Sequence, residues 1–248
     1  MPRLTRRQFL TTAALAATAP AALAQSKEDV DLLLVLAADV SRSVDGPKFQ
    51  LQRDGYAAAL SDPRVLDAIK SGRRGKIAVC FVEWSGSSAQ KVVIDWSIVK
   101  DEASARIFGD KLAELPRSFA ERTSISAAID YSVEQLKRAP FKAERHTIDV
   151  SGDGTNNSGR DVRGARDEAV AQGITINGLV ILSERPLAWN PEHTHPEGGL
   201  GKYYRDNVMG GPGAFVVEAE NFAAFGKALI NKLVAEIALL DAPTSVIR

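Results

Sequence analysis

Residues Val30–Ala38 read V-D-L-L-L-V-L-A-A and run directly into Asp39-Val40-Ser41-Arg42-Ser43. Nine residues that are almost continuously apolar describe a strand buried on both faces. Such strands belong to parallel sheets covered by helices on each side. Similar runs recur at Ile77–Val82, His146–Val150, Ile174–Leu182 and Ala214–Val217. Lys91–Trp96 follows its predecessor too closely for a parallel crossover, so it pairs as an antiparallel hairpin.

Helical patterns fill the gaps between strands. Ile125, Ile129, Val133 and Leu136 recur at helical spacing, as do Phe222, Phe225, Leu229, Leu233, Ile237 and Leu240. Residues 46–70, 101–114 and 160–172 also suit helices. The expected fold is a three-layer, doubly wound α/β structure, with a mostly parallel sheet of about six strands and one antiparallel edge strand. In that topology the loops after Asp39, Trp84, Ser151 and Ser183 share one edge, and a climbing helix brings Arg117–Ser124 to the same edge. Ligand sites in open α/β sheets lie outside these carboxyl ends.

Composition narrows the function classes. The 248 residues are 45% apolar and 25% charged, with 31 basic and 31 acidic side chains. That balance excludes a disordered tail protein, and it lacks the basic excess of a nucleic-acid binder. The small cluster Arg73, Arg74 and Lys76 lies among glycines and reads as a solvated turn. A lone Cys80 forms no internal disulfide, and three histidines with one thiol argue against a structural zinc site.

Residues 1–24 combine a basic front with Arg6-Arg7 and Phe9-Leu10, a short Ala-rich middle, and the ending Ala22-Leu23-Ala24. This is the pattern of a signal peptide, and the paired arginines resemble the bacterial twin-arginine export signal. The expectation is a periplasmic or secreted protein with no membrane span in the mature chain. Residues 25–248 then form a single domain with 28 basic and 31 acidic side chains, a net charge of −3.

The shared edge gathers oxygen donors. The first loop offers Asp39, Ser41 and Ser43, the climbing helix leads to Thr123, and the His146–Val150 strand leads to Asp153. Two carboxylates and three hydroxyls suit a hard cation such as Mg²⁺, which takes about six oxygens and keeps some water. Alternate positions 39, 41 and 43 would face one way in an extended segment. Ser124 and Ser126 compete with Thr123 for its role.

D-x-S-x-S after the first strand, a Thr opening a helix and D-G after a middle strand together resemble the metal-ion-dependent adhesion site of von Willebrand factor A domains. The resemblance spans about residues 27–241. It implies that Ser41 and Ser43 ligate Mg²⁺ or Mn²⁺ directly, with Asp39 and Asp153 acting mostly through water or hydrogen bonds. Thr123 would bind directly or through water. The partner would be a protein offering an Asp or Glu side chain. The segments Tyr203–Val216, Phe81–Gly86 and Asp149–Gly154 are similar to an exported proteobacterial family of von Willebrand A-like proteins of unknown function.

Other features read more plainly. Asp153-Gly-Thr-Asn-Asn begins like a calcium loop, but its twelfth position is Gly164 rather than a bidentate Glu. Gly210-Gly211-Pro212-Gly213 is a turn without a phosphate-loop lysine. Asp149, inside a buried strand, should pair with a top-loop donor or face a gap between helices, and Glu83 should either tune the ion or, as the plainer reading, face solvent. Trp84, Asn156, Trp189, His193 and His195 form the expected partner-binding rim. The leading function is non-enzymatic, metal-dependent protein binding. The alternative is a metal-assisted hydrolase or phosphatase, in which Glu83, Asp149 or His193 would have to serve as base.

Overall fold

The computed structural model describes residues 27–238, so the expected leader and the last expected helix position, Leu240, lie outside the described residues. In chain order the elements are β1 (Glu28–Asp29), β2 (Leu32–Asp39), α1 (Gly46–Leu60), α2 (Pro63–Ser71), β3 (Ile77–Trp84) and β4 (Gln90–Val99). There follow α3 (Glu102–Glu114), α4 (Ile125–Arg138), β5 (Phe141–Lys142), β6 (Arg145–Gly152), α5 (Val162–Ala171) and β7 (Ile174–Ile181). The last elements among the described residues are α6 (Pro191–Thr194), α7 (Leu200–Asn207), β8 (Val216–Ala219) and α8 (Phe225–Ala238).

Every residue of β2 is buried, and its alternating side chains feed two separate cores. Leu32, Leu34 and Leu36 pack with Tyr56, Ile69, Phe108 and Phe225, from α1, α2, α3 and α8. Leu33, Val35 and Ala37 pack with Ile129, Ala165 and Leu200, from α4, α5 and α7. Burying seven apolar positions of one strand this way is what makes β2 the spine of the sheet, at roughly 25 cal/mol per Å² of apolar area removed from water.

The six-stranded sheet runs in the order β4-β3-β2-β6-β7-β8. Only the β3–β4 pair is antiparallel, as the short connection between them requires. A small parallel pair, β1 with β5, is added beside it. The chain moves from β2 to β3 on one side and later returns to β6 on the other. That reversal opens a crevice at the carboxyl end of β2, the place where such sheets bind ligands.

Two expectations change in detail. Residues 46–70 form two helices, because Asp62 precedes Pro63 and is held extended (φ −66°, ψ 131°), outside the helical region. The Asp62 side chain then caps α2 by accepting the Arg64 N–H at 2.9 Å. None of the helices expected from the sequence falls within 190–207, yet that stretch carries α6 and α7.

Candidate metal centre

Asp39 is the last residue of β2 and is fully buried. Its Oδ1 accepts the Ser41 N–H at 2.7 Å, which bends the chain sharply after the strand. The Val44 N–H donates to the Ser41 carbonyl at 3.0 Å and closes the turn. Convergence of residues 39, 41 and 43 therefore comes from a tight turn, not from alternation along an extended segment. Arg117 fixes the turn from outside, its Nη2 donating to the Ser41 carbonyl at 2.7 Å.

From there a chain of contacts crosses to β6. Ser41 Oγ lies 3.1 Å from Ser43 Oγ, and Ser43 Oγ donates to Asp153 Oδ1 at 2.6 Å. Asp153 follows the last residue of β6, Gly152, whose missing side chain matters. A Cβ at 152 would lie 2.6 Å from the Tyr204 Oη and 3.1 Å from Asp39 Oδ2. Only glycine lets the two carboxylate-bearing loops close on each other.

The electrostatics are unfavourable without a counter-ion. Burial, then the charge of Asp153, pushes the Asp39 carboxyl up to about 8. Burial also raises Asp153, opposed by the Ser43 hydrogen bond and by Lys48. Two cations are near: Arg117 donates to the Val40 and Ser41 carbonyls, and Lys48, with its Nζ 3.9 Å from Asp153 Oδ2, donates to the Ser43 carbonyl at 2.8 Å. Asp39 Oδ2 has no hydrogen-bond partner at all. A buried carboxylate oxygen left unpaired beside a second carboxylate is costly unless a cation meets it. The donor set thus fits a hard divalent ion. Among the described residues no three His, Cys, Asp or Glu side chains form a metal cluster, so hydroxyls must complete the shell.

Thr123 is buried but does not join that hydrogen-bonded chain. With Ser43 and His193 it lines the buried floor of a cavity of about 310 Å³, whose walls include exposed Arg42, Arg122 and Trp189. Asn157 brackets Thr123, accepting its N–H at 3.0 Å through Oδ1 and donating its own N–H to the Thr123 carbonyl at 2.9 Å. Ser124 instead caps α4 through the Ala127 N–H, and its Oγ lies 3.3 Å from that of Ser126. Of the three competing hydroxyls, only Thr123 faces the cavity.

The expected rim needs correction. Trp84 is fully buried in the core beneath the sheet edge, so it is no contact residue. Asn156 is a tie: its Oδ1 accepts the Ser126 N–H at 3.1 Å, and its own N–H donates to Tyr203 Oη at 3.1 Å. His193 is buried on the cavity floor, and burial lowers its pKa. Trp189, 64% exposed, stands at the mouth, and His195 is exposed two residues from His193.

Glu83 and Asp149 are corrected too. Glu83 is buried, pairs with the Arg53 guanidinium at 2.5 Å and accepts the Ser118 N–H at 2.8 Å. It braces the top turn and does not face solvent. Asp149 pairs neither with a top loop nor with a gap: Lys232 of α8 reaches it at 2.6 Å, with Glu236 at 3.3 Å from the same ammonium. Both carboxylates are fully buried, and neither lines the cavity. The sequence signal for that triad was a lysine and a glutamate four apart within the apolar pattern of α8.

This architecture defines a von Willebrand factor A-type fold. The von Willebrand factor type A structure from Catenulispora acidiphila superposes with a TM-score of 0.54 at 14% identity, covering 85% of this chain and 43% of that one. Proximal thread matrix protein 1 from the mussel byssus, with a zinc-occupied MIDAS motif, gives 0.57 at 17%, covering 86% and 49%. The pilus adhesin SpaC from Lactobacillus rhamnosus GG, in an open conformation, gives 0.58 at 15%, covering 86% and 30%. This chain therefore spans about half or less of the length of these structures. No curated protein matches the sequence. Over residues 29–241 the chain belongs to the family described as protein of unknown function (DUF1194).

Proposed function

We propose that this chain is an exported protein-binding domain that holds Mg²⁺ or Mn²⁺ at the carboxyl end of β2 and captures an acidic side chain of a partner protein. The observation that carries this reading is the unpartnered, buried Oδ2 of Asp39, set beside Asp153, whose hydrogen-bond partner Ser43 lines a cavity open to solvent. Ser41, Ser43 and Thr123 would hold the ion with Asp39 and Asp153. When bound, the ion supplies a Lewis-acidic centre, and neutral hydroxyl donors leave it attractive to an incoming carboxylate.

The chain's own residues supply the rest. Arg117 and Lys48 hold the carbonyls of the Ser41–Ser43 turn, so the hydroxyls keep one orientation. Arg42 and Arg122 outnumber Glu121 among the charged residues lining the cavity, which leaves its approach positive, and Trp189 offers an exposed aromatic at its mouth. The zinc-occupied motif of the mussel protein and the adhesin among the similar structures support the reading. Residues 1–24 would direct export by a twin-arginine-type route. Among the described residues, no helix is long and apolar enough to cross a membrane.

The test is calorimetric titration of Mg²⁺ and Mn²⁺ into the wild-type chain and into Asp39→Ala. Saturable one-site binding that the substitution abolishes supports the reading. Equal heats from both proteins would overturn it.

A further inference from the structure

We propose that Lys232 and Asp149 join covalently, the Lys232 Nζ displacing water from the Asp149 carboxyl to form an intramolecular amide, with Glu236 as the base that moves the proton. The bond would tie α8 to β6, the strand that leads to Asp153. It does not depend on the metal-binding reading.

The three side chains meet away from water. Lys232 and Glu236 lie one turn apart on α8 and face Asp149 in the middle of β6, and all three are fully buried. The Phe215 ring packs 5.5 Å from the ammonium. Lys232 Nζ stands 2.6 Å from Asp149 Oδ2, yet neither carboxyl oxygen of Asp149 receives an aligned hydrogen bond. The nitrogen is in contact with the carboxyl group without forming an ordinary hydrogen-bonded pair.

Glu236 is held from behind. Asn177, opposite Asp149 on β7, donates from Nδ2 to Glu236 Oε1 at 2.5 Å and accepts the Phe215 N–H at 3.0 Å. That leaves Glu236 Oε2 turned to Lys232 Nζ at 3.3 Å, within reach of the proton a base would take.

Burial selects the reactive forms. Desolvation, opposed by Lys232, pushes the Asp149 carboxyl up to about 7, and a low-dielectric interior favours neutral groups over charged ones. When the proton passes from Nζ to Asp149, an uncharged amine faces an uncharged acid. A desolvated amine is a nucleophile. Nζ attacks Cγ and the N–C bond forms; Glu236 takes one Nζ proton and returns it to the Asp149 hydroxyl, which leaves as water. One amide and one water result, Glu236 is regenerated, and no oxidant or cofactor enters. Fixed contact between the reacting groups replaces the collision that two free molecules would need.

A cross-link here has a physical use. The chain has one cysteine, Cys80, so no internal disulfide can brace it. An amide between positions 149 and 232 closes a long loop, and such links stabilise largely by restricting the unfolded chain.

The experiment is mass spectrometry of the purified full chain after denaturation and tryptic digestion. Residues 146–160 and 228–248 should appear joined, lighter by one water than the two peptides together, and uncut after Lys232. Glu236→Gln, checked for folding by circular dichroism, should give the two regions unjoined, with Lys232 cut. Wild-type peptides recovered separately at full mass overturn the proposal, whether or not the variant folds. Joined peptides in a folded Glu236→Gln overturn the role given to Glu236, and a link from Lys232 to any residue other than Asp149 overturns the pairing.

Discussion

Ser43 Oγ donates to Asp153 Oδ1 at 2.6 Å across 110 residues of chain, and this one hydrogen bond joins the turn after β2 to the loop after β6. The two loops meet because their strands are neighbours in the sheet, with Ala38 opposite Ser151. Through that bond the hydroxyl run and the second carboxylate become one site, and the expected behaviour of the protein follows from it.

Metal should stabilise the fold. A ligand at 100 times its dissociation constant adds about 2.7 kcal/mol, which for a domain of this size raises Tm by about 5–10 °C. Mg²⁺ or Mn²⁺ should produce such a rise in wild type by differential scanning fluorimetry, and Asp39→Ala should remove most of it. Matching responses in the two proteins would place the ion elsewhere.

Without metal, stability should fall as pH rises. The folded state holds the Asp39 carboxyl up to about 8, against an ordinary value of 3.8, so between those values the native state keeps a proton that the unfolded state has lost. The stabilising protonation is complete below pH 4 and is lost as pH passes 8. Asp39→Asn should flatten this part of the Tm profile measured in chelator. A variant profile parallel to wild type across pH 5–8 would refute the assignment.

Partner capture and catalysis make opposite forecasts. Ser41→Ala and Asp153→Ala should leave the circular dichroism spectrum unchanged and abolish metal-dependent retention on an immobilised acidic partner, once one is identified. Chelator should mimic both, with Mg²⁺ restoring only wild type. A metal-assisted hydrolase would lose turnover of a small substrate in these variants and have no stable complex to lose. Retention that survives both chelation and Ser41→Ala contradicts the adhesion reading.

Lys232 should be indispensable to stability for a reason unrelated to metal. Its ammonium sits between Asp149 and Glu236, all three buried. Removing one partner of a buried ionic group strands the others, at about 3–5 kcal/mol. Lys232→Met should therefore lower the urea midpoint sharply, and adding Asp149→Asn should recover part of the loss. No recovery in the double variant would mean that the ammonium's charge is not what matters.

Export is the last test. Changing Arg6 and Arg7 to Lys should hold the precursor in the cytoplasm, as cell fractionation would reveal. Normal export of that variant would remove the twin-arginine route while leaving another secretory route open.

Much of this protein was legible in order along the chain. Period and burial are local properties, so V-D-L-L-L-V-L-A-A announced a central strand, and the short link before Lys91 announced the antiparallel edge. The D-x-S-x-S run and Asp153 could be assigned to one edge because parallel strands end together. Trp84 could not be read correctly: it closes β3, and whether a strand-terminal aromatic points into a core or out of a loop depends on the helix packed over it, here α4. Glu83 was misjudged for the same reason, since its partner Arg53 lies on a helix 30 residues earlier.

What the sequence determined by itself is the sheet, its edge and the kinds of donor gathered there, because strand alternation and connection length act over a few residues. What only the tertiary structure decided is which atoms meet. Ser43 finds Asp153, His193 lies over Thr123 through the gap left by Gly154, and Lys232 crosses under the sheet to Asp149. Each of these contacts joins segments tens of residues apart, and its strength depends on burial that no single segment possesses. A hydroxyl, an imidazole or an ammonium acquires its role only when packing removes water from around it.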